Sequence, residues 1–138
     1  MRELKFRLIR DGKHIQGYEK WVDGVPNKDT GYWATPPQWI YSRDNVLWSN
    51  PEIFHDSKDQ FTGRKDKNGV EVYEGDIIDQ YPGTEWTHIR TVKWNQKRCG
   101  YWLYNLNGEP HLDLTSFREE LEIIGNVHQD SHLLTNQN

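Results

Sequence analysis

The chain has a single cysteine, Cys99, in 138 residues. That excludes an internal disulfide and fits a reducing compartment. No apolar run approaches the roughly 18 residues a membrane-spanning helix needs. The opening Met1-Arg2-Glu3-Leu4-Lys5 is charged and leads into no apolar stretch, so no secretory signal is visible. An excess of basic charge is also lacking: 17 Lys and Arg stand against 21 Asp and Glu, a net charge of -4. This argues against a protein that wraps DNA over its whole surface. Internal repeats and low-complexity segments are absent. Apolar residues make up only 34% of the chain, too few for a core built on aliphatic side chains.

Rings are plentiful. Seven Trp and seven Tyr contribute to a 13% aromatic content, and each buries on the order of 150–250 Å2. An aromatic-heavy core is therefore expected. The length suits one domain, with N-terminal strands and a variable insertion over 1–57 and a β core over 58–138. Seven Trp are hard to bury in one small domain, so an exposed aromatic patch, and a homo-oligomer formed through it, is a further expectation.

Strand periodicity dominates. Leu4, Phe6 and Leu8 alternate with charged residues, Asp11-Gly12 is a hairpin turn, and His14 to Trp21 is the return strand. Residues 27–57 read as a loop-rich, Trp-rich insertion with one short strand near Trp39–Tyr41. Asn50 and Pro51 there have the chemistry of an N-cap and first helical position, predicting one helical turn. Trp86, His88, Arg90, Val92 and Trp94 alternate with Thr87, Ile89, Thr91 and Lys93 as a strand. Tyr101 to Leu106 is its partner, Asn107-Gly108 the next turn, and Leu112 and Leu114 a short edge. Ser116 to Glu120 reads as a turn of helix or 3-10 helix. Leu121 to Val127 closes the sheet, and the tail from Asp130, apart from Leu133-Leu134, should fray.

The stretch from Gln60 to Asp79 has the strongest turn chemistry. Asp66-Lys67-Asn68-Gly69 predicts a type I turn with Gly69 left-handed at a bulge, capped by the Asp66 side chain, with Lys65 facing Glu71. Glu74-Gly75-Asp76 then breaks the strand before Ile77-Ile78.

Phe61, Thr62, Gly63, Asp66, Lys67, Asn68, Gly69, Glu71, Tyr73, Glu74, Gly75, Asp76 and Ile77 resemble the signature F-T-G-L-x-D-K-N-G-x-E-I-Y-E-G-D-I-V of the YopX family of phage and prophage proteins. Met1 to Arg7 is similar to that family's M-R-E-I-K-F-R opening. Ile123-Ile124-Gly125-Asn126-Val127, followed by Leu133-Leu134, is similar to its V-I-G-N-I…L-L close. Similarity is loose over 20–57, and Arg64 stands where the pattern has Leu. The resemblance implies a small, partly open SH3-like β-barrel, a phage origin and the host cytoplasm, with no assigned activity. It transfers no catalytic residue, metal or cofactor.

Two readings from different classes follow. The first is a non-enzymatic binding module for a host or phage protein, held by the Trp-rich segment 33–48, or for nucleic acid. For nucleic acid the candidates are Trp86, His88, Arg90, Lys93, Trp94, Lys97, Arg98 and Trp102, since basic residues interleaved with rings suit single strands. Tyr101 and Tyr104 interleave as well, and alternation leaves open which row of rings faces outward. The second reading is a metal-dependent hydrolase or nuclease using Glu74 and Asp76, with His88 or Asp79. Its bland counterpart makes Glu74-Gly75-Asp76 a strand-to-strand turn in which Asp76 accepts backbone N–H groups. His128 and His132, four apart, and Cys99 beside Lys97 and Arg98 are weaker signals.

Overall fold

The computed structural model describes residues 3–84, 88–117 and 120–134. The protein is mainly β and divides into two compact units, Met1–Gln60 and Phe61–Asn138. Among the described residues no helix is long and apolar enough to cross a membrane.

In the first unit β1 (Lys5–Arg10) and β2 (His14–Val22) form the antiparallel hairpin that alternation predicts. Asp11 and Gly12 both take positive φ at its turn. The short strands β3 (Val25–Pro26) and β4 (Trp33–Thr35) pair only with each other, and β5 (Gln38–Ser42) adds to β2. The helical turn expected at Asn50-Pro51 is not formed. Instead Tyr41 and Ser49 exchange both backbone hydrogen bonds at 2.8 Å, which holds the chain extended as it approaches Asn50. Leu8, Tyr41 and Ile53 make the unit's core, with Trp39 packed against them. Strand β6 (Ser57–Lys65) begins in this unit, paired with β1, and the Arg7 guanidinium grips the Asp59 carboxylate at 2.8 Å.

In the second unit the end of β6 pairs with β7 (Glu71–Tyr73), with Lys65 opposite Glu71. A five-stranded antiparallel sheet follows, built from β8 (Asp76–Asp79), β9 (Ile89–Asn95), β10 (Gly100–Tyr104), β11 (Pro110–Asp113) and β12 (Glu122–Asn126). Its order is β11-β10-β9-β8-β12, and among the described residues no sheet closes into a barrel. Val72, Ile78, Val92, Tyr101, Leu103, Leu114 and Leu121 form the core beneath it.

The core corrects the composition argument. The fully buried apolar side chains are Leu8, Ile9, Val72, Ile77, Ile78, Val92, Leu103, Leu114 and Leu121, with no ring among them. No described Trp is buried; they are half-buried or exposed, several under cations. Lys20 Nζ lies 4.3 Å from the Trp48 ring centre and Arg98 4.3 Å from that of Trp102. Small sheets cannot enclose an indole completely, and its N–H needs a polar partner. A few aliphatic residues at alternate positions suffice for each thin core.

Turns tie the sheet together. Asp66 Oδ1 accepts the backbone N–H groups of Asn68 (2.8 Å) and Val70 (2.9 Å), and Gly69 donates to the Asp66 carbonyl at φ +80°. Positive φ is the conformation that a side chain at this position resists. Arg64, where a Leu was expected from the resemblance, donates to the carbonyls of Leu114 (2.6 Å) and Phe117. It is thereby half-buried, and burial holds its guanidinium below the ordinary value. Asp113, not Ser116, organises the turn before it: its carboxylate accepts from Thr115 N–H at 2.9 Å, and Phe117 N–H donates to its carbonyl. The expected turn at 116–120 falls partly outside the described residues. The tail is ordered further than expected, as a 3-10 turn over Ser131–Leu134. The Asp130 carboxylate accepts Asn126 N–H at 3.1 Å, and the Asp130 carbonyl accepts Leu133 N–H at 2.9 Å.

Candidate functional site

Strands β9 and β10 pair in the register Lys93↔Trp102, Val92↔Leu103 and Trp94↔Tyr101. Residues directly opposite share a face. Val92, Tyr101 and Leu103 are buried, so their face is the core. Lys93, Trp102 and Tyr104 therefore form the row on the other face. Arg98 lies over the Trp102 ring at 4.3 Å, and Lys93 lies over the Tyr104 ring at 5.3 Å. Cations over ring faces at these distances are electrostatically favourable. Trp94 sits at the rim of the core face, 41% exposed, edge-on to Tyr101 at 5.1 Å and bonded through its indole N–H to Gln96 at 2.8 Å. Lys97 is exposed in the turn between the strands.

The remaining candidates separate from that row. Trp86 lies outside the described residues. His88 and Arg90 share the Val92 face, not the Lys93 face. Arg90 Nε donates to Gln80 Oε1 at 2.9 Å, and the Gln80 side chain is 1% exposed. His88 stands edge-on to Tyr81 at 5.0 Å. Burial first, then electrostatic interaction with Arg90 and His88, holds the pKa of His111, on β11, below the ordinary value. Gln80 and Tyr81 carried no sequence signal. Nothing local links positions 80 and 90.

Asp76 is 1% exposed, and its Oδ2 accepts Tyr73 N–H at 2.8 Å. Gly75 donates to Val92 and its carbonyl accepts from Val127, both at 2.8 Å. The Glu74-Gly75-Asp76 segment thus links β7, β8 and β9 to the chain after β12. Among the described residues no group of three or more His, Cys, Asp or Glu side chains is placed to hold a metal ion. At Gly125 a Cβ would lie 2.7 Å from Asp130 Oδ2, while Asn126 Oδ1 accepts the N–H groups of His128 and Gln129 at 3.0 Å. The motif residues Phe61 and Tyr73 pack with their ring centres 5.6 Å apart and their planes tilted by 42°, and Gly63 takes φ +90° within β6.

The first unit carries a pocket of about 330 Å3 lined by Tyr41, Arg43, Asp44, Leu47, Glu52 and Ile53, among others. The Asp44 carboxyl, held below its ordinary value by hydrogen bonds from Leu47 and Val46 N–H, fixes a loop that leaves Val46 and Leu47 exposed.

No curated protein matches the chain. Among solved structures it is similar to the crystal structure of protein EF1440 from Enterococcus faecalis. That likeness has 22% identity and a TM-score of 0.45, over 94% of this chain and 86% of the other. The family model described as YopX protein matches residues 34–135. A match over most of the chain, holding both the Asp66–Gly69 turn and the Gly125-Asn126 close, places this protein in the YopX family.

Proposed function

We propose that this protein is a phage- or prophage-encoded binding module with no catalytic step of its own, acting in the host cytoplasm. Its ligand is single-stranded nucleic acid laid across the outer row of β9 and β10. The observation that carries this reading is the alignment of Lys93, Trp102, Tyr104 and Arg98 on the face away from the core. Such a row offers stacking surfaces and phosphate-seeking charge together, and each stacked base contributes about 1–3 kcal/mol. We read β8 to β12 as a partly open SH3-like barrel. In support, four strands form a meander and the fifth returns to the first, the connectivity from which a small barrel curls.

A protein ligand is the second reading. It is favoured by Tyr32, Trp33, Val46 and Leu47, each more than half exposed in the first unit. A second copy of the chain is one such partner. Against a hydrolase using Glu74 and Asp76 weighs the engagement of the Asp76 carboxylate by its own turn.

The test is polarisation of a labelled single-stranded oligonucleotide over a salt series. Binding should weaken steeply between about 50 and 200 mM salt. Trp102→Ala should weaken it about tenfold, consistent with one lost stacking contact, and Lys93→Ala should lower the salt slope. Binding unchanged in both variants sinks this choice of surface.

A further inference from the structure

We propose that the pocket of the first unit binds an aliphatic cation, an alkylammonium or alkylguanidinium group. Its charged head meets Asp44 and Glu52, and its carbon stem lies against Tyr41, Leu47, Pro51 and Ile53. This site stands whether or not the outer row of β9 and β10 binds nucleic acid.

The cavity, about 330 Å3, is of the size that takes a small molecule or one long side chain. Its walls are fixed by bonds within the unit. Asp44 Oδ1 accepts the Ser42 hydroxyl and the N–H groups of Val46 and Leu47, each at 2.9 Å. The paired backbone bonds between Tyr41 and Ser49, both 2.8 Å, hold another wall. Strand β2 backs the pocket. At Gly17 a Cβ would lie 2.5 Å from the Ser42 carbonyl oxygen and 2.9 Å from Ile53 Cδ1, so both pack directly on that strand. A site built in advance loses little freedom on binding.

The charges set the sign of the ligand. The lining carries two carboxylates, Asp44 and Glu52, and one cation, Arg43. Among the described residues none of the three forms an ion pair. The bonds from Ser42, Val46 and Leu47 all fall on Asp44 Oδ1, which leaves Oδ2 for a ligand. The pocket floor is negative as well. The charges that act on the Tyr41 phenol are those of Glu19 and Glu52, and together with burial they raise it to about 12. Glu19 is itself buried and bonded to Lys58, so Asp44 and Glu52 are the groups a ligand reaches. An alkyl stem covers apolar surface while its cationic head stays with polar partners, and this lining offers both.

The Leu47 and Ile53 methyl resonances of the whole protein report occupancy, followed by NMR during titration with n-butylamine at neutral pH and constant ionic strength. Saturable shifts are expected. Butanol, with the same stem and no charge, and butyrate, with the opposite charge, should bind more weakly by about tenfold or more, the scale of a hydrogen bond to a charged group. Glu52→Gln, a change at an exposed position, should weaken butylamine about tenfold on the same ground and leave thermal unfolding unchanged. Asp44→Asn keeps an oxygen for the loop N–H groups and should weaken it similarly. Arg43→Gln should leave binding unchanged or tighten it. N-acetyl-lysine methylamide, compared with cadaverine, separates a protein side chain from a free amine as the source. Butyrate bound as tightly as butylamine, or butylamine bound undiminished by both Glu52→Gln and Asp44→Asn, overturns the site.

Discussion

The Asp66 carboxylate accepts the backbone N–H of Ile123 at 3.1 Å across 57 residues of sequence. Its other oxygen caps the turn that Asp66 begins. The protein contains a natural control for this arrangement. Asn105 Oδ1 accepts Asn107 and Glu109 N–H at 3.0 Å, and Gly108 repeats the φ of +80° found at Gly69. The two turns share one local design. Only the first spends a second side-chain oxygen on a distant strand, so aspartate is needed there and asparagine suffices at 105.

Asp66→Asn should keep the local cap and place an amide N–H2 against Ile123 N–H. The expected loss is about 1–3 kcal/mol, the cost of leaving a buried donor unsatisfied, with Asp66→Ala losing more. Urea unfolding of the full chain measures both. An Asp66→Asn protein as stable as the wild type would refute the link to β12.

Gly125→Ala tests a different contact. The added methyl would meet Asp130 Oδ2 at 2.7 Å and the Asp130 Cβ and Cγ at 2.8 Å. Asp130 must move, releasing Asn126 N–H, and overpacking of this kind costs about 1–3 kcal/mol. Gly125→Ala combined with Asp130→Gly should recover part of that loss in thermal unfolding. If the double variant is no more stable than the single one, Asp130 is not the obstacle.

Tyr41 supplies a pH signature. Burial, then the charges of Glu19 and Glu52 and a hydrogen bond to Glu19, raise its phenol from 10.0 to about 12. In the unfolded chain the phenol ionises near 10, so the folded state binds that proton more tightly. The resulting stability is fully present below pH 10 and is lost as pH rises through the folded value of about 12. Phenolate absorbance should show one tyrosine ionising well after the exposed ones. Tyr41→Phe should abolish that late step, and Glu19→Gln should bring it to lower pH.

The turns were legible because their chemistry is local. Asp66-Lys67-Asn68-Gly69 specifies its hydrogen bonds within five residues, and so does the Asx pattern at Asn105. The aromatic core was misjudged because composition counts rings without saying where they sit. Trp33 and Trp94 are exposed and Trp48 and Trp102 half-buried, while Leu103 and Val92 fill the interior. The candidate binding list was split for a related reason. Arg90 and Lys93 are three apart on one strand, an odd separation, and so belong to opposite faces.

The amino-acid order alone determined where strands begin and reverse, through turn residues whose preferences act over a few bonds. It also carried the signature that places the protein in its family. Tertiary structure decided which of two alternating rows became interior. Period-two alternation offers both faces equally, and only the residues that pack against a sheet select one. It also decided that Gln80 would hold Arg90, because strand pairing brings together side chains that no local rule connects.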